Sequence, residues 1–355
     1  MEKGEGNNQT YVTEFNLLGF GNLSQLQTLL FLLFLVIYIV TVAGNILIVV
    51  LVVTDQHLHT PMYFFLGNLS CLETCYSSTI LPRVLASLLT GDRTISVSGC
   101  ITQFYFFGVL VASECYLLSM MSYDRYLAIC KPLHYTVLMN GRICLQLAAV
   151  SWLGGFMATT IVTCLMSQLH FCGPNEIDHF LCDFTPVIKL SCSDTSLITL
   201  VTFILSSIDT LPPFLLTLTS YVFIISTILR IPSTTGRRKA FSTYTLPPFL
   251  LTLASYVSII STILRIPSTS GRRKAFSTCS SHLLVVTIYY GTLIIVYVLP
   301  DTETLRDLNK VFSVFYTVLT PMVNPLIYSL RNKEVKEALG KVFNKCMVLS
   351  AIQEE

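Results

Sequence analysis

Long stretches without charge dominate this chain and limit the folds open to it. No charged residue occurs between Glu14 and Asp55, and the core Leu26–Val53 exceeds the roughly 20 apolar residues that cross a bilayer. Seven further stretches have a similar character: Pro61–Leu81, Ile95–Met121, Ile143–Leu169, Leu197–Leu229, Leu246–Leu264, Cys279–Pro300 and Val311–Leu330. Only 12% of the residues are charged, whereas soluble domains carry about 25%. The chain is therefore predicted to be an all-α membrane protein, which excludes most soluble enzymes and nucleic-acid binders.

One of the eight stretches belongs to a copy of another. Thr210–Thr243 and Thr245–Thr278 differ at only three of 34 positions. Such near-identity indicates a recent tandem duplication, because the units of a repeat array diverge from one another. The second copy lacks the apolar run Leu197–Ile208 that precedes the first, so it is a truncated span. Residues 244–278 are therefore interpreted as an insert that duplicates the fifth helix and the loop after it.

Basic residues predict where the insert lies. The clusters Arg237-Arg238-Lys239 and Arg272-Arg273-Lys274 flank the second copy, and basic clusters beside spans stay in the cytoplasm. A single crossing between them would leave one cluster outside. We therefore predict a seven-helix bundle in the plasma membrane, with Tyr244–Leu264 as an apolar cytoplasmic insert against the membrane. Every Lys and Arg then lies on a cytoplasmic segment, except Lys3, Arg83, Arg93, Lys189, Arg306 and Lys310.

The domain organisation follows from these crossings. We predict an extracellular N-terminal segment at residues 1–25, a seven-helix domain at 26–330, and a cytoplasmic tail at 331–355 with a short amphipathic helix, Asn332–Phe343. The first segment lacks a basic stretch followed by a short apolar core, so no cleavable signal peptide is expected. Asn8 begins a glycosylation sequon, and it is the predicted site of a glycan.

Motifs at the ends of the spans resemble a known receptor class. Met121–Cys130 reads MSYDRYLAIC, and Pro321–Tyr328 reads PMVNPLIY; together they resemble the rhodopsin-like G-protein-coupled receptors. Three further stretches narrow the resemblance to the odorant receptors: PMYFFL at Pro61–Leu66, KAFSTCSSHL at Lys274–Leu283 and SLRN at Ser329–Asn332. The match extends over most of the chain, and only the duplication interrupts it.

This resemblance implies a function. The chain is expected to bind a small volatile odorant within the bundle and to activate a heterotrimeric stimulatory G protein, which raises cyclic AMP. Its remaining partner is membrane lipid, and no cofactor, nucleic acid or enzymatic activity is expected. A transporter or membrane enzyme is disfavoured, since the only repeat is tandem and no HExxH or GxSxG motif occurs. A product whose trafficking or coupling is impaired by the duplication remains the alternative.

The resemblance also implies a switch at the cytoplasmic end of the bundle. Arg125 would be the pivot that the G protein meets when the helices open, and an ordinary interfacial arginine paired with Asp124 is the alternative. Asn324-Pro325 places a residue without a backbone donor inside the seventh helix, which permits a kink. The expected switch residues are Asp124, Arg125, Tyr126, Tyr221, Asn324, Pro325 and Tyr328.

Two acids are predicted in the membrane interior. Glu73 and Glu114 lie in the middle of neighbouring spans, where acids are costly and usually functional. With Asn45 and Asn324 they resemble the polar, sodium-type cluster of the receptor core, although the family usually has Asp where Glu73 stands. Protonated structural acids held by hydrogen bonds are the alternative.

Four cysteines lie on segments that face the oxidising outside, where disulfides form. The family resemblance pairs Cys100 with Cys182, and Cys172 with Cys192. In the tail, Cys346 follows the amphipathic helix and is a candidate for palmitoylation.

Two classes of ligand, amines and retinal, are excluded by residues of the predicted pocket. Phe107 stands where an amine receptor has a carboxylate, and Val311–Leu330 lacks the lysine that a retinal protein needs. Asp209 is expected on the pocket wall as an uncompensated acid that a polar odorant could use. The other side chains are typical of an apolar pocket, or alternatively of helix core. The full predicted set is Phe104, Phe107, Gly108, Val111, Ala112, Asp209, Tyr290, Leu293, Ile294, Tyr297, Val314 and Thr317.

Overall fold

Seven long helices make up most of the part that this computed structural model describes, which is residues 12–19, 26–172, 174–230, 270–298, 311–331 and 334–340. They are α1 (Gln27–Thr54), α2 (Pro61–Thr90), α3 (Val97–Cys130), α4 (Gly141–Met166), α5 (Ser196–Arg230), α6 (Ser270–Leu293) and α7 (residues 311–331). A π-helical segment, Ile294–Val298, continues α6, and another, Phe315–Leu319, interrupts α7. A short helix follows at residues 334–340.

The helices form a membrane bundle around α3. Within the described residues, α1, α3, α4 and α5 are long and apolar enough to cross a bilayer, and shorter apolar helices occupy His282–Tyr297 and Val311–Ile327. The most apolar part of α3 is 72% buried, whereas the corresponding parts of α1, α4 and α5 are 22%, 28% and 17% buried. Exposed apolar side chains on these outer helices suit contact with lipid. The predicted seven-helix membrane fold is confirmed.

Helix α2 is longer than the sequence predicts. It continues beyond Leu81 and Pro82 to Thr90, and it ends where Gly91 adopts φ +75°. Glycine favours this left-handed conformation because it has no Cβ, and such a residue commonly terminates a helix. The third helix begins at Val97 rather than Ile95, since Thr94–Ser96 forms a strand.

Small residues allow α3 and α4 to pack closely. A Cβ atom on Gly155 would lie 2.6 Å from the carbonyl oxygen of Val109, and one on Gly108 would lie 2.8 Å from Cγ2 of Thr159. A side chain at Gly155 would overlap backbone and one at Gly108 would displace Thr159, so both glycines favour the close approach that is common between membrane helices.

A three-stranded sheet covers one end of the bundle, which we call the sheet end. Strand β1 (Glu14–Leu17) pairs antiparallel with β2 (Thr94–Ser96) and parallel with β3 (Glu176–Ile177). Phe15 is fully buried and packs edge-on against Phe171, with 5.1 Å between ring centroids. Part of the N-terminal segment is therefore packed against the loops, although the sequence predicts only helices.

Two disulfides hold the loop between α4 and α5 at the sheet end. Cys100 at the start of α3 is bonded to Cys182, and Cys172 is bonded to Cys192, with Cα–Cα distances of 5.5 Å and 5.9 Å. These are the pairs that the family resemblance implies. The first bridge ties the loop directly to the central helix.

The duplicated region is described only at its borders. Helix α5 comes from the first copy, and α6 begins at Ser270, within the second copy. The predicted insert Tyr244–Leu264, the sequon at Asn8 and the cysteine Cys346 lie outside the described residues. The side chain of Tyr328 lies outside them as well.

Candidate functional site: cavity, polar core and helix-end switch

A cavity of about 90 Å³ lies between α3, α4, α5, α6 and the loop that follows Cys182. The structure brings together here eight of the twelve predicted pocket residues: Phe104, Phe107, Gly108, Val111, Ala112, Asp209, Leu293 and Tyr297. The wall also includes residues that the sequence did not single out: Cys115, Ala158, Thr159, Val162, Phe184, Thr202, Leu205, Ser206 and Thr210. The contribution of α4 was missed because nothing local marks its inner face.

The other four predicted residues lie outside this cavity wall. Tyr290 is buried one helical turn deeper, where its hydroxyl donates to the Cys115 carbonyl at 2.5 Å. Thr317 is buried and donates to the Ser313 carbonyl at 2.5 Å. Ile294 and Val314 are half-buried. Ile294 begins one π-helical segment and Val314 precedes the other, and these segments change the helical register on which the prediction relied.

The two sides of the cavity differ in polarity. The α3 side carries Phe104, Phe107 and Val111, whereas the α5 side carries Thr202 and Asp209. The hydroxyl oxygen of Thr202 is buried and has no hydrogen-bond partner among the described residues. A few polar groups on an otherwise apolar wall are typical of a site that orients a small organic molecule.

Asp209 is not an uncompensated acid, as the sequence suggested. Tyr116 on α3 donates its hydroxyl hydrogen to Oδ1 of Asp209, at 2.6 Å. A buried or half-buried carboxylate is stabilised by such a donor. Asp209 therefore joins α3 to α5 at the cavity, in addition to forming part of its wall.

Asp183 connects the loop to two helices above the cavity. It follows Cys182 and accepts hydrogen bonds from the Phe184 backbone N–H at 2.7 Å and the Tyr297 hydroxyl at 3.0 Å. The Tyr297 and Tyr316 hydroxyls are 3.0 Å apart and share a further hydrogen bond. Burial raises the pKa of Asp183 from 3.8 to about 6, although both donors oppose this shift. No motif in the sequence indicates this role of Asp183.

The predicted polar core is assembled across four helices. Asn324 on α7 donates to Oε1 of Glu73 on α2, and Asn45 on α1 donates to the Pro321 carbonyl at 3.1 Å. That carbonyl would normally accept from the N–H of residue 325, but Pro325 has none. Asn45 thus replaces the missing helical donor.

Several oxygens of this core have no hydrogen-bond partner among the described residues. These oxygens belong to side chains that are at most 1% exposed. The carboxyl groups of Glu73 and Glu114 are close enough for their charges to interact. The atoms are Asn45 Oδ1, Glu73 Oε2, both carboxylate oxygens of Glu114, Ser113 Oγ and Asn324 Oδ1. Oxygen ligands in this number suit a hard cation.

The Asp-Arg-Tyr motif lies at the end of α3 opposite the sheet. Arg125 pairs with its neighbour Asp124, which is fully buried. Tyr135, in the connection to α4, donates to the other carboxylate oxygen of Asp124 at 2.7 Å. The sequence did not reveal Tyr135, because its contact depends on how this connection folds back.

The same end of the bundle joins α5 to α6. Tyr221 and His282 are buried and share a hydrogen bond of 2.7 Å between the phenol oxygen and Nδ1. Tyr126 packs against Phe223 on α5, with 5.8 Å between ring centroids. The sequence placed Tyr221 in the switch but assigned no role to His282, which lies inside a motif used for the resemblance.

These features define the class of protein. The described part of the chain has the features of a rhodopsin-like G-protein-coupled receptor. They are seven long helices, a disulfide from α3 to the loop between α4 and α5, an Asp-Arg-Tyr motif at the end of α3 and an Asn-Pro sequence in α7.

The family is shown by comparison with known proteins. The sequence profile described as "Olfactory receptor" matches residues 34–247 and 246–346, in two parts that meet where the second copy begins. The human Olfactory receptor 11L1 is 47% identical, covering 97% of both chains. The mouse Olfactory receptor 5AP2 and human Olfactory receptor 6N1 are each 45% identical, covering 97% of this chain and 98% and 99% of theirs. The chain belongs to the olfactory receptor family, whose members are multi-pass plasma-membrane receptors and not enzymes.

Proposed function

We propose that this receptor binds a small volatile organic ligand in the α3–α6 cavity and activates a stimulatory G protein, which raises cyclic AMP. The N-terminus and the sheet end face the outside, and Arg125 and the C-terminus face the cytoplasm. One observation carries the proposal: the helices around the cavity are the helices that meet at the switch. Leu293 and Tyr297 of the α6 region line the cavity, while His282 of the same helix contacts Tyr221.

The ligand acts by favouring one arrangement of these helices. It shifts the receptor toward an open cytoplasmic face only to the extent that it binds that state more tightly. His282 and Tyr297 are separated by roughly 22 Å along a helix, at 1.5 Å per residue. A ligand that displaces α6 at the cavity therefore displaces the Tyr221–His282 contact at the other end.

A cyclic AMP reporter screen with small odorants tests this proposal. Ala112→Trp fills the cavity from α3, and Leu200→Trp adds the same side chain to a lipid-facing position that is 57% exposed. An agonist of the unmodified receptor should lose its effect on Ala112→Trp and keep it on Leu200→Trp, at equal surface levels. Equal responses of the two variants would place the ligand elsewhere.

We also propose that the polar core binds a sodium ion. Glu73, Glu114, Asn45 and Asn324 would hold it, since the other three side chains lie near enough to Glu73 to interact with it, and each of the four has a buried oxygen without a hydrogen-bond partner among the described residues. A cation there neutralises buried charge and stabilises the state in which the helices enclose it. Purified receptor should unfold at a higher temperature in sodium chloride than in N-methylglucamine chloride, and Glu114→Gln should remove the difference. If both salts give equal stability, protons rather than sodium neutralise the two acids.

A second candidate is a receptor whose trafficking or coupling is impaired by the duplication. The observation that favours it is the 35-residue insert, 244–278, which follows α5 in the sequence and includes the first residues of α6, near where a G protein would dock. Surface labelling of intact cells distinguishes the two candidates. An impaired product is labelled weakly, or is labelled normally but gives no cyclic AMP response, and it recovers when the insert is deleted.

A further inference from the structure

A second cavity lies at the sheet end, between α1, α2 and the segment that follows β1. It has a volume of about 50 Å³ and shares no lining residue with the α3–α6 cavity. Its apolar walls include Leu30, Val84 and Phe180. Two guanidinium groups, those of Arg83 and Arg93, also line it, and no acidic residue is among the described residues of its wall.

Arg83 lines this cavity and carries donors that the described residues do not use. Its Nε and Nη2 atoms are buried and have no hydrogen-bond partner among the described residues. Buried charged donors without partners are unfavourable. Nε and Nη2 lie on the same edge of the guanidinium plane, and such an edge binds both oxygens of a carboxylate or phosphate group.

Arg93 is held at the rim by the protein itself. One of its terminal nitrogens donates to the Leu18 carbonyl at 3.1 Å, which fixes the side chain next to the segment after β1. The neighbouring acid, Asp92, is exposed, and its carboxylate accepts from the Thr94 N–H at 2.9 Å and the Thr94 hydroxyl at 2.8 Å. Asp92 is thus hydrogen-bonded to Thr94 and not to Arg83, although its charge is near enough to interact with the Arg83 guanidinium.

We propose that Arg83 and Arg93 form a second binding site, which takes the carboxylate or phosphate group of an anionic amphiphile. The edge of Arg83 binds the two oxygens, and the charge of Arg93 adds to the attraction. A cavity of about 50 Å³ accommodates the anionic group and the first carbons attached to it. The rest of the molecule extends out of the cavity, as a lipid tail or as the chain of a soluble carboxylate.

An anion bound here connects separate parts of the receptor. Arg83 belongs to α2, whereas Arg93 is bonded to the segment after β1, and Phe180 belongs to the loop that covers the bundle. Occupancy therefore stabilises the sheet end, because a ligand that binds only the folded state raises its stability. This site is independent of the odorant pocket.

Thermal unfolding of the purified full-length receptor tests the site. In lipid-depleted micelles, hexanoate and inorganic phosphate are titrated separately. In a second arm, the receptor is placed in nanodiscs of phosphatidylcholine, with or without phosphatidylglycerol, and hexanoate is added. Arg83→Gln removes the charge, and Arg83→Lys keeps it but lacks the two-donor edge. Arg142→Gln is the matched control, because Arg142 is exposed at the opposite end.

The unmodified receptor and Arg142→Gln should show a saturable rise in unfolding temperature. Arg83→Gln should need at least about tenfold more anion for the same rise in unfolding temperature. Arg83→Lys should need an amount between those of the unmodified receptor and Arg83→Gln. A hexanoate effect that persists in phosphatidylcholine nanodiscs identifies a soluble carboxylate as the ligand, and an effect of phosphatidylglycerol alone identifies a lipid headgroup. If no anion stabilises the receptor, or if Arg83→Gln responds like Arg142→Gln, the proposal is wrong.

Discussion

Several polar groups inside the bundle are stabilised by a hydrogen bond from another segment of the chain. Asn45 satisfies the Pro321 carbonyl that Pro325 leaves without a helical donor. Tyr116 gives Asp209 the donor that its half-buried carboxylate needs, and Tyr297 does the same for Asp183. In each case a polar group that would be unfavourable alone is stabilised by one partner from another segment.

Arg125→Ala should abolish the ligand-dependent rise in cyclic AMP and leave the amount of receptor at the surface unchanged. Arg125 is only 17% exposed but pairs locally with Asp124, so its loss removes the proposed G-protein pivot without opening the bundle. A reporter assay with surface labelling measures both quantities. Undiminished signalling would show that Arg125 is an ordinary interfacial arginine.

Asp209→Ala should change which ligands activate the receptor, because it removes the only acid among the described residues of the cavity wall. Tyr116→Phe is the informative companion, since it removes the donor to Asp209 but keeps the acid. We expect Tyr116→Phe to shift potencies by about tenfold or less, in line with the loss of one hydrogen bond. Agonist profiles over one odorant panel compare the variants. An unchanged profile in Asp209→Ala would assign this residue to helix packing alone.

Asp183 should make stability depend on pH. Its pKa is about 6 in the folded protein and its ordinary value is 3.8, so the folded state retains a proton that the unfolded state loses between these values. The stabilisation is complete below about pH 4 and is lost as the pH rises through 6, with a total of about 3 kcal/mol.

Unfolding temperatures of receptor in micelles at pH 5 and pH 7.5 check this prediction. Asp183→Asn mimics the protonated acid and keeps its hydrogen-bonding atoms, so it should be at least as stable as the unmodified receptor at pH 7.5. The difference between the two proteins should shrink at the lower pH. A difference that does not vary with pH would contradict the assignment.

Individual elements are positioned by close packing and by cross-links to the central helix. Gly155 lets α4 lie against α3, the Cys100–Cys182 disulfide ties the covering loop to α3, and Tyr63 donates to Glu334 at 2.6 Å. The last contact joins the start of α2 to the helix at residues 334–340. It gives a structural role to the tyrosine of the PMYFFL motif.

Gly155→Ala should destabilise the receptor by about 1–3 kcal/mol, since the new methyl group overlaps the Val109 carbonyl. Gly141→Ala is the matched control. It makes the same change at the start of the same helix, where no atom lies within 4 Å of the added Cβ. Thermal unfolding in micelles should separate the two variants by several degrees. Equal unfolding temperatures would mean that α3 and α4 can move apart freely.

The whole molecule combines a receptor bundle with an insert between its fifth and sixth helices. The described residues of α3, α4, α5 and α6 surround the ligand cavity, and α5 and α6 contact each other at Tyr221 and His282. We propose that the apolar insert lies at the cytoplasmic end, against the membrane or the receptor, since exposure of so many apolar residues to water is unfavourable.

Deletion of residues 244–278 should therefore increase agonist-dependent cyclic AMP at equal surface expression. A glycosylation sequon engineered near Ser268 tests the location of the insert in the same cells. No glycan is expected there, whereas a sequon placed in the loop between α4 and α5 should be modified. Attachment of a glycan near Ser268 would show that the seven-crossing arrangement is wrong.

Local sequence was sufficient for the class of fold and for the family. Spans are recognised from composition because every backbone polar group in lipid must be bonded within its own helix, and the motifs at Arg125 and Asn324 are contiguous. The family and the seven-helix fold predicted in this way are confirmed.

The partners of the buried polar residues were decided only by tertiary packing. Tyr116 and Asp209 are 93 residues apart, and Asp183 and Tyr297 are 114 apart, so no local pattern joins them. Of the predicted residues of α6 and α7, only Leu293 and Tyr297 line the cavity, because helical register depends on the bonds that form in the bundle and π-helical segments interrupt both helices. Composition determines that a helix lies in the membrane, but packing determines which of its side chains meet.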